Sequence, residues 1–217
     1  MTPDALRAFV TRCGLPDGLG WAVSPSLADH TLLAPDEAQA VARAVPSRRA
    51  EFTGGRVAAR AAMQAVGMTP APIPMHSDRA PLWPTGCTGS ITHMEGLCLA
   101  IVGRSETWRG IGVDLEADAA LGADLIPVIA TPPEIARHPS LTPGLVAARI
   151  FSAKEAAYKA QYPETRALFG FESMAADIPA GTMRMVADLG LGLGAVLPIR
   201  QWAGAGVILS LCARPNA

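Results

Sequence analysis

The sequence predicts an α+β protein of two related lobes, and three observations lead to this fold class. Predicted helices are followed by predicted strands twice along the chain, which indicates packed layers of both kinds. Of the 217 residues, 50% are hydrophobic and only 17% are charged, which is enough for a sizeable core. Proline- and glycine-rich segments separate the elements. We expect an N-terminal lobe of residues 1–105 and a C-terminal lobe of residues 106–217.

The first elements of the chain are short. A helix is predicted over Pro3–Val10, and Trp21–Val23 begins a strand. A second helix is predicted over Pro35–Val45, because proline suits the first helical turn and the carboxylates of Asp36 and Glu37 favour a helix N-terminus.

A longer helix is predicted over Ser47–Val66, with Ser47 as its cap and Gly67 just beyond its end. Gly54 and Gly55 weaken this helix midway, by about 1 kcal/mol each relative to alanine. Such a pair marks close approach of a ligand or of another backbone. Residues 68–89 are rich in proline and glycine and are predicted to be irregular.

Strands then dominate the chain up to residue 116. Segments 90–93 and 97–102 alternate as the two strands of a hairpin, with a turn at Glu95-Gly96. The next strand is Arg109–Glu116. Leu121–Arg137 is predicted to form short helical turns interrupted by prolines, and a long helix is predicted over Pro143–Gln161, ended by Tyr162-Pro163. Further strands are predicted near residues 172–178, 182–187, 198–202 and 207–213.

Two carboxylates end the strand that begins at Arg109. Side chains alternate along a strand, so Asp114 and Glu116 share one face, with Cα atoms roughly 7 Å apart. Like charges this close repel unless a partner neutralises them. A hard, all-oxygen site suits Mg²⁺ or Mn²⁺. The alternative is a strand that runs into a solvated acidic turn.

A third carboxylate lies on the long C-terminal helix. Phe151, Glu155 and Tyr158 fall on one face of it, so Glu155 interrupts an apolar stripe. A buried charge needs a partner, and a cation held by Asp114 and Glu116 would supply one. The alternative is an ordinary surface pair between Glu155 and Lys159.

Basic residues are concentrated in the predicted helix 47–66, and arginine suits bidentate phosphate binding. Arg49, Arg56 and Arg60 share one face of this helix, and Arg48 precedes them. The run Gly89-Ser90-Ile91-Thr92-His93 adds a hydroxyl and an imidazole at a strand end. Together these residues predict a phosphorylated ligand bridged to a metal, with Lys154 and Lys159 as further cations. A solvated helix face and a structural histidine are the alternatives.

Composition excludes several classes of function. The net charge of −1 provides no basic field for nucleic acid, and no apolar run approaches the ~20 residues of a membrane span. The N-terminus lacks the layout of a signal peptide, so a cytoplasmic location is expected. The four cysteines contain no C-x-x-C pair and are expected to be buried thiols.

The chain resembles the 4′-phosphopantetheinyl transferases in four blocks that occur in that family's order. Two blocks are Gly112-Val-Asp114-Leu-Glu116 and Phe151-Ser-Ala-Lys154-Glu155-Ala-Ala-Tyr158-Lys159. The upstream segments 48–60 and 79–93 resemble the branch that activates enterobactin and surfactin synthetases. The resemblance covers about residues 47–159.

The resemblance implies a pseudo-twofold, two-lobed fold with a cleft that binds coenzyme A and Mg²⁺. A serine of a carrier protein would attack the β-phosphate, and 3′,5′-ADP would leave. By resemblance the metal ligands are Asp114, Glu116 and Glu155, with Glu155 also the base. Lys159 would stabilise the pyrophosphate. The other phosphate-binding residues would be Arg48, Arg56, Thr92, His93 and Lys154.

The family resemblance also sets the expected partners. They are acyl, peptidyl or aryl carrier domains of siderophore, nonribosomal-peptide or polyketide synthases, served by a monomeric enzyme. One departure is Met75, where some relatives carry a lysine; His76 and Arg79 are the candidates to replace it. Two rival functions remain open, a pyrophosphatase acting on coenzyme A or nucleotides and a non-catalytic module that binds coenzyme A or carriers.

Overall fold

The computed structural model describes residues 1–216, and residue 217 of the predicted C-terminal lobe lies outside them. The chain forms two compact units. Unit 1 contains residues 1–109 together with residues 215 and 216, and unit 2 contains residues 110–214. Residues 215 and 216 belong to unit 1 because the Asn216 side-chain amide donates to the carbonyls of Ser105 and Glu106.

The described residues of unit 1 form three α-helices, a 3₁₀ turn at His30–Leu32 and one antiparallel sheet, in which the strand order is β1-β3-β2. Its elements are α1 (Pro3–Cys13), β1 (Leu19–Pro25), α2 (Pro35–Ala40), α3 (Pro46–Ala65), β2 (Cys87–Met94) and β3 (Leu97–Arg104). The predicted hairpin is confirmed, because Glu95 and Gly96 both have positive φ, as a tight two-residue turn requires. Residues 68–86 contain only an isolated bridge between Met75 and Pro81.

Helix α3 packs on the sheet through small residues. Ala58, Ala59 and Ala62 are buried and form part of the unit's core. A Cβ atom at Gly54 would overlap the carbonyl oxygen of Pro25, so this glycine allows another backbone to approach, as the sequence predicted. Gly67, with φ +69°, ends the helix as expected.

Unit 2 is built around one long helix and two small sheets. The sheet orders are β4-β9-β8 and β5-β6-β7. Its elements are β4 (Trp108–Ala117), α4 (Ile126–Ile129), α5 (Pro132–Ala136), α6 (Pro143–Thr165), β5 (Met174–Asp177), β6 (Thr182–Met185), β7 (Val196–Pro198), β8 (Arg200–Gly204) and β9 (Val207–Pro215). The predicted acidic strand 109–116 is therefore confirmed as β4.

Helix α6 lies directly on β4 because two glycines of the strand leave room for it. A Cβ atom at Gly112 would overlap the carbonyl oxygen of Ala156, and one at Gly110 would overlap that of Ala160. Alanine on the helix and glycine on the strand bring the two backbones close together. This close packing fixes the strand-end carboxylates relative to the polar residues of α6.

Several predicted element boundaries are wrong. Helix α3 begins at Pro46 with Val45 as its N-cap, so Ser47 lies inside the helix and is not its cap. Helix α6 continues through Pro163 to Thr165, because a proline near the end removes only one N–H and the Glu164–Arg214 ion pair, at 2.9 Å, holds the last turn. Helix α2 stops at Ala40 rather than Val45, where i→i+3 hydrogen bonds tighten the chain. The predicted strand 198–202 is two strands in different sheets, divided at Ile199.

The two units repeat one construction. In each, the first strand pairs with the last strand, which also pairs with the strand before it. A short helix that begins with proline precedes a long helix that also begins with proline, at the same spacing in both units: Pro35 and Pro46 in unit 1, Pro132 and Pro143 in unit 2. The sequence alone suggested a duplication only from the order of its elements. The structure adds the equivalent strand pairing and helix spacing in the two units.

The cysteine prediction is confirmed. All four thiols are free and buried, and burial raises the pKa of Cys13, Cys87 and Cys98 to about 11. No helix within residues 1–216 combines the length and the hydropathy that crossing a bilayer would require.

Candidate active site

Strand β4 carries the first two residues of the predicted site in unit 2. Asp114 is buried, with 3% of its surface exposed, and Glu116, two residues further along the same strand face, is partly buried. The neighbours Val113 and Leu115 are fully buried in the core. The apolar neighbours anchor the strand, and the anchored strand holds the carboxylates in place.

Helix α6 brings Lys159 onto the end of β4. Its ammonium nitrogen lies 2.7 Å from Asp114 Oδ1 and donates to the carbonyl oxygen of Val113 at 3.2 Å. Two segments that are distant in sequence thus meet at one polar position. Lys159 pairs with Asp114, so the simple helix-surface pair between Glu155 and Lys159 does not describe its main contact.

Glu155 belongs to the same electrostatic cluster. Burial raises the pKa of Glu155; the ammonium of Lys159 opposes the rise, and the negative charge of Asp114 adds to it. Burial also raises the pKa of Glu116 to about 7, and the charge of Asp114 is the next cause. The charge of Asp114 therefore makes ionisation of both glutamates harder, and the charge of Glu155 adds to this effect on Glu116, which is the situation that a bound cation relieves.

The chemistry of these donors fits a hard divalent cation. The buried oxygen Asp114 Oδ2 has no hydrogen-bond partner within the described residues, and carboxylate oxygens are the ligands that Mg²⁺ takes. In the side-chain arrangement of residues 1–216, however, no three His, Cys, Asp or Glu residues form a ready metal cluster. Lys159 accounts for part of this, because its ammonium lies against Asp114 Oδ1. Metal binding by Asp114, Glu116 and Glu155 therefore remains a proposal.

Lys154 was expected to be an additional phosphate-binding cation, but the structure buries it among protein contacts. Only 1% of it is exposed, and its ammonium donates to the carbonyl oxygens of Ile129 and Phe171 and lies 3.0 Å from Glu134 Oε1. Three contacts use all three N–H donors of an ammonium group. This geometry gives Lys154 a structural role and does not support phosphate binding.

A small cavity opens beside Glu155. It has a volume of about 120 Å³, and its lining residues are Lys154, Glu155, Tyr158, Phe169, Gly170, Phe171 and Met174. Aromatic rings form much of the wall, with Tyr158 and Phe169 in edge contact at 5.3 Å. The polar cluster on α6 thus has an apolar compartment next to it.

Unit 1 brings together two of the predicted phosphate-binding residues. Arg48 of α3 lies 3.1 Å from Nε2 of His93, which is on β2. Both residues approach the carboxylate of Glu51, Arg48 at 3.4 Å and His93 at 3.8 Å. Arg48 and His93 are exposed, so both side chains are presented at the surface of the unit beside the carboxylate of Glu51.

Arg56 is held more firmly than its neighbours. It is 6% exposed, its Nε donates to the carbonyl oxygen of Ile73 at 2.7 Å, and its guanidinium carbon lies 4.0 Å from the centre of the Phe52 ring. Burial lowers the pKa of Arg56 to about 10. The bond and the ring together fix the plane of a guanidinium group that carries further N–H donors.

The remaining predicted residues separate into distinct environments. Thr92 is buried on β2, one residue before His93. Arg60, on the same predicted face as Arg56, pairs with the buried Glu37 at 3.0 Å. Met75 packs against an apolar cluster, and His76 lies 3.1 Å from Asp78. Met75 is therefore a partly buried apolar contact, and His76 forms part of a turn.

Sequence reasoning missed the importance of two buried glutamates, Glu37 and Glu134. Each is the third residue of a short helix that begins with proline, and each carboxylate accepts the backbone N–H that precedes the helix. Each then pairs with a cation on the long helix of its unit. The signal was present, because a glutamate at this position is the mark of a capping box.

The fold and these clusters define an α+β protein with a carboxylate-rich site in unit 2 and a basic site in unit 1. Two family models match it: the 4′-phosphopantetheinyl transferase N-terminal domain over residues 36–103, and the 4′-phosphopantetheinyl transferase superfamily over residues 110–196. The chain belongs to the 4′-phosphopantetheinyl transferase superfamily.

Three relatives illustrate the similarity. The 4′-phosphopantetheinyl transferase PptT of Mycobacterium tuberculosis is 40% identical over 174 residues, which cover 79% of this chain and 77% of the relative. The transferase Svp of Streptomyces mobaraensis is 38% identical, with coverage of 70% and 64%. Enterobactin synthase component D of Salmonella typhi is 35% identical, with coverage of 68% and 62%. The chain thus spans slightly less than two thirds of the length of the latter two proteins.

Proposed function

We propose that the protein transfers the 4′-phosphopantetheine group of coenzyme A to a serine of a carrier-protein domain and releases 3′,5′-ADP. The observation that carries the proposal is the meeting of Asp114, Glu155 and Lys159 at one position of unit 2, within the segment that matches the superfamily model. The family membership of the chain supports the same reaction class.

The reaction places defined demands on these residues. The serine oxygen forms a bond to the β-phosphorus of coenzyme A, and the bond from that phosphorus to the oxygen of 3′,5′-ADP breaks. The serine proton passes to the carboxylate of Glu155, which acts as the general base. Positioning and charge neutralisation dominate the catalysis of such transfers.

We assign Asp114, Glu116 and Glu155 as the residues that would hold Mg²⁺, with Mn²⁺ as the alternative ion. A bound divalent cation would neutralise charge on the pyrophosphate oxygens. The orphan oxygen of Asp114 and the mutual repulsion of the acids support this assignment. Lys159, whose ammonium is held at the edge of the acidic cluster, contributes a fixed positive charge toward the same pyrophosphate.

We propose that the basic residues of unit 1 also bind phosphate groups of coenzyme A. Arg56 is suited to bind phosphate because its Nε–H bond and the Phe52 ring fix its orientation before a ligand arrives. Arg48 and His93 supply a second, exposed pair of donors, and Thr92 supplies a hydroxyl group. Because a relative is named as a component of enterobactin synthase, we extend the proposal to synthases of siderophores and other secondary metabolites.

The test is a panel of apo-carrier domains incubated with coenzyme A and Mg²⁺ and read by intact mass. The expected result is one added phosphopantetheine group on at least one siderophore or secondary-metabolite carrier, with release of 3′,5′-ADP. Cleavage of coenzyme A at an equal rate without any carrier would instead identify a pyrophosphatase. Binding of coenzyme A without turnover on every carrier would identify a non-catalytic module.

A further inference from the structure

Glu134 is a buried carboxylate of unit 2 that contacts three other residues. It is 2% exposed, and its Oε2 accepts the N–H of Thr131 at 2.7 Å and the hydroxyl of the same residue at 2.8 Å. Its Oε1 accepts the N–H of Ala176 at 2.8 Å and lies 3.0 Å from the ammonium of Lys154. One side chain therefore joins the start of α5, strand β5 and helix α6.

Lys154 extends the same network to two more segments. Its ammonium donates to the carbonyl oxygen of Ile129 at the end of α4, at 2.8 Å, and to that of Phe171 at 3.0 Å. Phe171 begins the 3₁₀ turn Phe171–Ser173, which leads into β5. The Glu134–Lys154 ion pair thus ties α6 to the chain on both sides of that turn.

The chain held in this way is a wall of the cavity beside Glu155. Phe169, Gly170, Phe171 and Met174 line the cavity opposite the residues that α6 contributes. The ring of Phe171 also packs on Phe151 of α6, with centres 5.5 Å apart. The position of this wall relative to Glu155 depends on the two polar anchors, the carbonyl of Phe171 and the N–H of Ala176.

We propose that Glu134 and Lys154 are positioning residues for the transfer reaction, which hold segment 169–176 against α6 and so set the shape of the cavity beside Glu155. The inference rests on the proposed function, since it concerns the same site. Neither residue is catalytic. All three N–H donors of Lys154 are used within the protein, and both oxygens of Glu134 accept hydrogen bonds at a fully buried position.

The experiment compares three variants with the wild type. Glu134→Gln keeps one acceptor oxygen but removes the charge, and the double variant Glu134→Gln/Lys154→Met removes both charges, so that no unpaired ion is buried. Glu164→Gln is the matched control, because it breaks another ion pair on the same helix at a residue that does not line the cavity. Each is assayed below its melting temperature with separate titrations of coenzyme A and apo-carrier.

The expected result is that KM for coenzyme A or for the carrier rises about tenfold in both Glu134 variants, because the cavity lies beside Glu155, where both substrates would meet. Glu164→Gln keeps both KM values. A merely structural role would reduce the folded fraction and lower kcat without changing KM. Folded Glu134 variants with wild-type kinetics would overturn the inference, whereas a wild type without transfer activity would overturn the proposed function itself.

Discussion

Unit 1 and unit 2 each bury a glutamate at the start of a short helix, but they pair it with different cations. In each unit a glutamate at the start of a short helix is buried, accepts the N–H in front of that helix, and reaches a second backbone N–H from a distant segment: Ile73 for Glu37 and Ala176 for Glu134. In each unit the same carboxylate pairs with a cation on the long helix.

The two cations differ in their environment. Arg60 of unit 1 keeps 21% of its side chain exposed, whereas Lys154 of unit 2 keeps only 1%. A guanidinium can bridge a buried acid while it remains partly hydrated, but a compact ammonium that is fully buried must have all its donors satisfied. The buried glutamate and its ion pair are therefore common to both units. The surrounding side chains differ, and they form a basic site in unit 1 and an acidic site in unit 2.

The largest expected effect is the loss of stability when the cation of each ion pair is removed, and this loss should differ between the two pairs. Lys154→Met leaves the carboxylate of Glu134 buried without its cation, and we expect a loss of about 3–5 kcal/mol in the free energy of unfolding. Arg60→Met removes a cation that water partly reaches, and we expect about 1–3 kcal/mol. Urea unfolding measures both losses, and hydrogen exchange assigns each loss to its unit. Equal losses would mean that the burial of the cation does not matter.

The next effect concerns the glycines that let a strand lie against the long helix. Gly112→Ala in β4 places a methyl group against the carbonyl oxygen of Ala156, and Gly20→Ala in β1 does the same against that of Ala62. Overpacking against backbone costs about 1–3 kcal/mol, and we expect both variants to lose this much stability. Gly86→Ala, where nothing lies near the added methyl group but φ is positive, separates backbone strain from overlap. A loss as large at Gly86 would remove the packing argument.

A smaller effect is the pH dependence that Glu134 gives to unit 2. Burial alone would raise the pKa of Glu134, but the N–H groups of Ala176 and Thr131 and the ammonium of Lys154 outweigh it and lower the pKa below the ordinary value of 4.5. A lowered pKa stabilises the folded state above the ordinary value, and this contribution is lost as the pH falls through the folded-state pKa.

Urea midpoints measured from neutral to acid pH test this dependence. At acid pH the free energy of unfolding of the wild type should fall as the pH is lowered. We expect Glu134→Gln to reduce the slope of this fall by up to about 1.4 kcal/mol per pH unit. An unchanged slope in the Glu134→Gln variant would show that other carboxylates account for the loss of stability at acid pH.

Local patterns predicted most of the elements and the residues of the acidic cluster. Alternation identified β4, and helical spacing placed Glu155 on one face of α6 with Phe151 and Tyr158, a face that is partly buried. The end of α6 was missed because local rules penalise Pro163, while the Glu164–Arg214 ion pair comes from a contact distant in sequence. The role of Lys154 was missed for the same reason, since its partner Glu134 and the carbonyl of Phe171 lie on other elements.

Two neighbouring residues on α6, Lys154 and Glu155, have different roles: the first is structural and the second is the proposed base. Lys154 is committed entirely to protein contacts, whereas Glu155 is a partly buried acid whose charge is opposed by Asp114. Neutralising Glu155 therefore removes the proposed base without breaking a structural contact, and stability should be unchanged or slightly higher.

The role of Glu155 in catalysis is tested most directly by the single-turnover rate of phosphopantetheine transfer for Glu155→Gln, with Glu164→Gln on the same helix as the control. We expect Glu155→Gln to fold normally and to lose about 10²–10⁴-fold in rate, while Glu164→Gln transfers at nearly the wild-type rate. A folded Glu155→Gln protein that transfers as fast as the wild type would contradict the assignment of the reaction to the carboxylates of unit 2.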